Sequence, residues 1–288
     1  MQASYHSAAA RSVLPHRHVN LICFSAACLR IGAVALTLAL TTDLLPAHAA
    51  GADGLAPGMR ASGWEGTVGA GPALVPRYAG GKSMQTWLIP MLSLNYKETF
   101  YVEMARVGVN LVASKDKSLV LGLAVEPRWG HAASDGPLLT GMRNRKSSLE
   151  GGPSLDWSSP LAEFNLSYFG DISGAGRGRS IRLGVSHDFK LSERLQVGAS
   201  LGLDRVSSKT VNYYFGVDPS EALPSRPAYS GTGGTDVTVG LDGGYALDPG
   251  HTIVFGTNIS RLNSSTAASP IVETRRVGWG WIGYAWTL

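Results

Sequence analysis

The stretch SLVLGLAVEPRW, Ser118 to Trp129, separates into two faces when every second residue is taken. One face is Leu119, Leu121, Leu123, Val125, Pro127 and Trp129, and the other is Ser118, Val120, Gly122, Ala124, Glu126 and Arg128. A period of two is that of a β-strand, whose successive side chains point to opposite sides. The pattern recurs in Leu195–Asp204, where Leu195, Val197, Ala199, Leu201 and Leu203 oppose Gln196, Gly198, Ser200, Gly202 and Asp204. It appears again in Ala162–Tyr168 and in Asp236–Leu247.

A soluble β-sandwich also alternates, so the period alone does not separate water from lipid on the outer face. Three features favour lipid. The segments run to about 10–13 residues, the length a tilted strand needs to cross a bilayer, whereas strands of soluble proteins usually have about 5–6. The polar face is rich in Gly, Ser, Thr, Asn and Asp, which suits a solvated lumen better than a dry core. Connections alternate between tight turns at Lys190–Glu193 and Asp248–Gly250 and long loops at Gly130–Ser147, Val211–Thr235 and Asn263–Glu273, the habit of outer-membrane barrels.

The expected fold is therefore all-β, a single antiparallel transmembrane β-barrel. Strands are predicted near 63–75, 85–96, 99–106, 107–114, 118–130, 148–158, 162–171, 178–190, 194–207, 235–247, 251–262 and 274–288. That makes twelve, or ten if Thr99–Ser114 forms fewer strands, an even number placing both termini on the periplasmic side.

The leading residues read as an address. Positions 1–30 carry Arg11, Arg17 and Arg30 with no acidic residue, and Ile31–Leu40 is a purely apolar and threonine run. Ala47-His48-Ala49-Ala50 then offers small residues for signal-peptidase cleavage after Ala49. Residues 1–49 are expected to be a signal peptide, 50–62 a short periplasmic segment and 63–288 the barrel. Both cysteines, Cys23 and Cys28, fall in the removed segment, so the mature chain has no disulfide or thiolate metal site. The formal charge of +4 drops to +2 with the signal peptide gone, which is no footprint for nucleic acid. Only 16% of residues are charged, against about 25% in a typical soluble domain.

The C-terminal strand ends Gly283-Tyr284-Ala285-Trp286-Thr287-Leu288. Its glycine, aromatics and apolar last residue resemble the β-signal by which the outer-membrane assembly machinery recognises its clients, with Leu288 where phenylalanine is commonest. Tyr284, Trp286 and Leu288 share one face and present an aromatic edge near the periplasmic interface.

The run Asn212-Tyr213-Tyr214-Phe215-Gly216-Val217, followed by Pro224-Ser225-Arg226-Pro227-Ala228-Tyr229 and Gly233-Gly234, resembles the YFGV…SGLPxYxxGGG segment of the MipA/OmpV outer-membrane family. Pro76-Arg77-Tyr78-Ala79-Gly80, Leu88-Ile89-Pro90 and Ala268-Ser269-Pro270-Ile271-Val272 match in the family's order. Ser225-Arg226 departs from the usual Gly-Leu. The resemblance runs from about Gly63 to Leu288. It implies an outer-membrane barrel and a non-enzymatic role as scaffold or recognition protein, one member being named for binding a lytic transglycosylase and a peptidoglycan synthase. Other members are described as adhesins or antigens. A small-solute channel is the alternative that the polar lumen face allows.

No catalytic residue, metal site or cofactor is expected. Ser186, His187 and Asp188 are consecutive on a strand, so Ser186 and Asp188 face the lumen while His187 faces outward, and the triad is broken by phase. His131 and His251 have no partners at metal-ligand spacing. The glycine-rich run Ser173–Gly178 lies between strands and lacks the Lys-Ser/Thr of a phosphate loop. Arg143, Arg145, Lys146, Arg177 and Arg179 are candidates for contact with lipopolysaccharide phosphates, alongside the surrounding outer-membrane lipids. Tyr213, Tyr214, Phe215 and Tyr229, pinned by Pro224 and Pro227, form either an exposed recognition surface or a plug in the barrel mouth.

Overall fold

A computed structural model describes residues 63–288; the expected signal peptide and the segment 50–62 lie outside the described residues. Twelve strands follow one another as β1 (Trp64–Pro76), β2 (Met84–Tyr96), β3 (Phe100–Glu103), β4 (Arg106–Ala113), β5 (Leu119–Arg128), β6 (Ser148–Ser158), β7 (Glu163–Asp171), β8 (Arg179–Lys190), β9 (Leu195–Val206), β10 (Gly234–Asp248), β11 (His251–Arg261) and β12 (Arg276–Thr287). Each pairs antiparallel with its neighbours in sequence, and β12 closes onto β1. Closure gives the strands partners on both sides, which is why a barrel can span a bilayer; the outer part of β2, Met84 to Leu92, pairs with β1 alone. Among the described residues no helix is long and apolar enough to cross a membrane.

The alternation seen in the sequence becomes inside and outside. Along β5, Leu119, Leu121 and Leu123 are exposed on the outer wall while Gly122, Ala124, Glu126 and Arg128 are buried within. The same outward apolar band continues through Leu166, Ile181, Leu201, Leu241, Ile259 and Ile282. At the periplasmic end it meets an aromatic girdle. Trp64 packs on Tyr96 with ring centroids 5.1 Å apart, Trp157 stacks on Phe164 at 4.8 Å, and Tyr284 meets Trp286 edge-on at 4.9 Å.

The seam is tight because glycines line it. A Cβ added at Gly71 would stand 2.0 Å from the Ile282 carbonyl oxygen and 2.4 Å from the Gly283 Cα, so only hydrogen fits. Of the candidate assembly-signal residues, Gly283 backs onto Met91, Tyr284 pairs with Ala70, Trp286 pairs with Val68, and the Leu288 amide donates to the Gly66 carbonyl at 2.9 Å. These residues thus form the closing strand itself.

The stretch Thr99–Ser114 is two strands, with a turn at Met104 and Ala105. β3 has 4 residues and β4 has 8, against 9 to 15 in the other ten strands, so this hairpin stops short of the outer rim. Its turn lies level with Leu92, whose carbonyl accepts from the Met104 amide at 2.7 Å. The Met104 side chain packs onto the apolar interior patch of Ala73, Val75, Ile89, Met91 and Trp279. Pro90 stands in this outer part of β2, beyond the reach of β3, where a missing backbone donor costs nothing.

The interior is not polar all round, although the strand faces read in the sequence suited a solvated lumen. Its outer half has two unlike walls. β1, β2 and β12 contribute the apolar patch, with Trp87 and Trp281 packed against it, while β5 to β9 contribute charge.

The long loops lie at the opposite end from the aromatic girdle. The connection after β9 holds a helix, α1 (Ser208–Phe215), and the one after β11 a single helical turn, α2 (Ser264–Ala267). Neither helix was expected. Ser207 caps α1 by accepting from the Thr210 amide, and Asn263 caps α2 by accepting from the Thr266 amide, so the N-cap signals were present in the sequence.

Candidate functional site: the capped mouth and the charged interior

Tyr214 and Val211 of α1 point into the barrel, and α1 lies across its mouth. The Tyr214 hydroxyl donates to Ser148 Oγ at 2.8 Å and lies 3.3 Å from the Arg128 carbonyl oxygen. Burial pushes its pKa up to about 12. Around it the loops form a second core of Tyr78, Leu139, Met142, Val217 and Ile271, with Tyr229 against it. Tyr78 donates to the Ile271 carbonyl at 3.0 Å, and burial followed by the Glu273 carboxylate raises its pKa.

Polar latches fasten this cap. Arg145, only 3% exposed, offers both terminal nitrogens to the Glu221 carboxylate at 2.7 and 3.0 Å. Burial raises the Glu221 pKa, but hydrogen bonds from Arg145 and from the amides of Arg143 and Asp218 together outweigh it and hold the group at about 2. Arg226 donates to the carbonyls of Leu138 at 2.6 Å, Thr140 at 2.9 Å and Glu221 at 2.7 Å, tying two loops together. This is the arginine that replaces the family's usual leucine. His131, facing Tyr78 with ring centroids 6.0 Å apart, has its pKa lowered to about 4 by burial and by Arg145.

Beneath the cap lies the charged wall. Arg128 binds Glu150 at 2.7 Å and Asp204 at 2.9 Å. Arg182 binds Glu126 and Glu150 and lies 3.7 Å from Asp204, while Arg106 is 3.8 Å from Glu126. Phe169 is clasped between Arg106 and Arg182, whose guanidinium carbons stand 5.5 and 5.1 Å from its ring centre. Three guanidiniums thus meet three carboxylates, and Glu150 and Asp204 are each 1% exposed. Opposite charges at this spacing offset the cost of burial that any one of them alone would incur. A cavity of about 30 Å³ remains between Arg128, His131, Tyr214 and Asp236, room for about one water.

The recognition candidates are divided by this arrangement. Tyr214 is inside, Tyr229 is half-buried with its hydroxyl on the Ser265 carbonyl, Phe215 is half-buried, and Tyr213 accepts from the Lys146 amide at 3.0 Å on the outer surface. The basic candidates also differ. Arg145 is a correction: Glu221 draws it into the cap, away from any lipid phosphate. Arg143 is exposed but paired with Asp218 at 2.5 Å, and Lys146, Arg177 and Arg179 are exposed.

The glycine-rich loop after β7 has its own anion. The Asp171 carboxylate accepts from the amides of Ser173, Gly174, Gly176 and Arg177 at 2.7–3.0 Å, so the donors a phosphate would use are taken. His187 packs edge-on against Phe189 at 4.6 Å on the outer wall, on the opposite face from Ser186 and Asp188. His251 Nδ1 is 2.7 Å from the Tyr284 hydroxyl. Among the described residues no group of three or more His, Cys, Asp or Glu is placed to hold a metal ion.

The family model described as MltA-interacting protein MipA matches residues 68–288. Outer membrane protein Omp26La of Vibrio anguillarum is 28% identical over 134 residues, which is 46% of this chain and 52% of that protein. The chain spans about half the length of this curated relative. Among solved structures, the NanC porin has 11% identity and a TM-score of 0.43 over 77% of this chain and 99% of its own. The Ralstonia pickettii toluene transporter TbuX has 10% identity and a TM-score of 0.33 over 79% and 90%.

Proposed function

The chain belongs to the MltA-interacting protein MipA family of outer-membrane barrels, and from that premise we propose that it is a non-enzymatic scaffold of the cell envelope. In this reading it holds a murein-remodelling enzyme, a lytic transglycosylase with its peptidoglycan synthase, at the outer membrane. The observation that carries the reading beyond the family name is the charge-paired interior. Arg128, Arg182, Glu126, Glu150 and Asp204 neutralise one another under a latched cap, which supports a structural rather than a chemical role for these residues.

A murein enzyme meets the barrel from the periplasm, on the side of the short turns. There Leu161 and Leu191, at the turns after β6 and β8, are 82% and 62% exposed. Isolated exposed leucines flanked by charges such as Glu193 and Arg194 are the kind of anchors a small protein contact uses. The resemblance of the last strand to a β-signal supports the assembly machinery as a second, transient partner.

The test is a pull-down from envelope extracts in gentle detergent, with the barrel as bait. Recovery of a lytic transglycosylase or a peptidoglycan synthase, lost in Leu161→Asp/Leu191→Asp, supports the scaffold. Recovery of neither, together with steady conducting steps in planar bilayers, would replace it with a channel.

A further inference from the structure

The outer rim of the wall is chemically lopsided. Arg179 on β8, Arg205 on β9, Arg261 on β11 and Arg276 on β12 are all exposed and share the outward face of their strands with Ile181, Leu201, Ile259 and Ile282. On the other side of the barrel the corresponding wall positions are the uncharged Thr86, Leu149 and Ile172, and the exposed cations there, Arg77, Lys82 and Lys146, stand in the connections rather than on the wall. Like cations therefore gather on one arc.

None of these four guanidiniums has an ion pair or hydrogen-bond partner among the described residues. The carboxylates nearest in sequence are engaged elsewhere: Asp204 with Arg128 inside, Glu273 with the Tyr78 hydroxyl and the Lys82 amide, and Asp171 with its loop amides. Arg261 and Arg276 are moreover directly opposite each other across the β11–β12 ladder. Like charges in facing positions are destabilising, so an anion seated between these two would relieve a cost that the sheet otherwise carries.

Depth in the membrane identifies what that is. On β8, Phe189 lies ten residues from Arg179, and on β12, Trp286 lies ten residues from Arg276, on the same outward faces. Ten residues rising about 3.3 Å each in a strand tilted by about 40° separate the two levels by about 25 Å, the height of the apolar band of an outer-membrane barrel. The aromatic girdle marks the periplasmic edge of the hydrocarbon, so the arginines stand at its outer edge, at the phosphates of the outer leaflet. A guanidinium presents two parallel donors that match a phosphate, and two guanidiniums facing across a ladder can share one.

We propose that Arg179, Arg205, Arg261 and Arg276 form a one-sided belt that binds the phosphomonoesters of outer-leaflet lipopolysaccharide, with Arg261 and Arg276 clamping a single phosphate. The belt is independent of the scaffold reading. It moves the lipopolysaccharide contact from the loop residues Arg143, Arg145 and Lys146 to the wall, and retains Arg179.

The test compares the unsubstituted barrel with Arg205→Gln/Arg261→Gln/Arg276→Gln in phosphatidylcholine vesicles containing phosphorylated lipid A, dephosphorylated lipid A, or no glycolipid plus inorganic phosphate. Heat-modifiable gel mobility serves as the readout of folding. Phosphorylated lipid A should raise the unfolding temperature of the unsubstituted barrel and not of the variant, and the variant should carry several-fold less co-purified lipopolysaccharide. Equal stabilisation by the dephosphorylated lipid, or by inorganic phosphate, overturns the assignment. The single variant Arg276→Gln adds a reversal of sign. In phosphate-free detergent it removes a repulsion and should be at least as heat-stable as the unsubstituted protein, whereas in phosphorylated lipid it should be less stable; the same rank order in both media also overturns the proposal.

Discussion

Replacing Glu221 by glutamine keeps the shape of the cap latch and removes its charge. The buried Arg145 then loses its counter-ion, and the bonds at 2.7 and 3.0 Å become ordinary neutral ones. The pKa of Glu221 falls from 4.5 to about 2 in the folded protein. At about 1.4 kcal/mol per pKa unit that is ~3 kcal/mol of latch stability, at the low end of the 3–5 kcal/mol typical of breaking a buried pair. Water at the barrel mouth screens part of this, so ~3 kcal/mol is an upper value. Because the folded pKa is depressed, the stabilisation is complete above about pH 4.5, fades as the pH falls towards about 2, and is absent below it. The assay is hydrogen exchange of the amides in residues 207–233 at neutral pH. Glu221→Gln should lower their protection by up to about two powers of ten while the strands are unaffected, and acidifying the unsubstituted protein from pH 5 to pH 2 should do the same. Protection of these amides that is unchanged in the variant would refute the view that this pair latches the cap.

Arg182→Met leaves Glu126, Glu150 and Asp204 facing only Arg106 and Arg128. About 3–5 kcal/mol should be lost, read as a lower denaturant midpoint for the heat-modifiable band; an unchanged midpoint would mean that water reaches the wall and screens it. Gly71→Ala places a methyl against the Ile282 carbonyl and Gly283 Cα at the β1–β12 seam, so the folded fraction in a detergent refolding assay should drop sharply. Refolding yields equal to the unsubstituted chain would show that the seam has slack.

Outside Thr99–Ser114, the strands, their phase and the sidedness of the loops were legible in the sequence because membrane strands obey a local rule. A residue's side follows from its parity alone, and lipid admits only apolar side chains on one parity. SLVLGLAVEPRW therefore reported both its strand and its orientation, and His187 could be placed outward without coordinates. The short β3–β4 hairpin remained ambiguous, since four residues carry too little periodicity to separate one strand from two.

What parity could not supply is which inward residues meet. Arg128, Glu150, Arg182 and Asp204 stand on β5, β6, β8 and β9, up to 76 residues apart in the chain for a bonded pair, and only closure of the sheet brings them into one cluster. The same is true of Arg145, whose neighbours in sequence are exposed but whose partner Glu221 lies in another loop, and of Arg261 and Arg276, made neighbours by the register of β11 against β12. The sequence by itself determined the barrel, because that depends on local alternation against lipid. The tertiary structure alone decided that its interior is neutralised and capped, because charge pairing is set by distance in space.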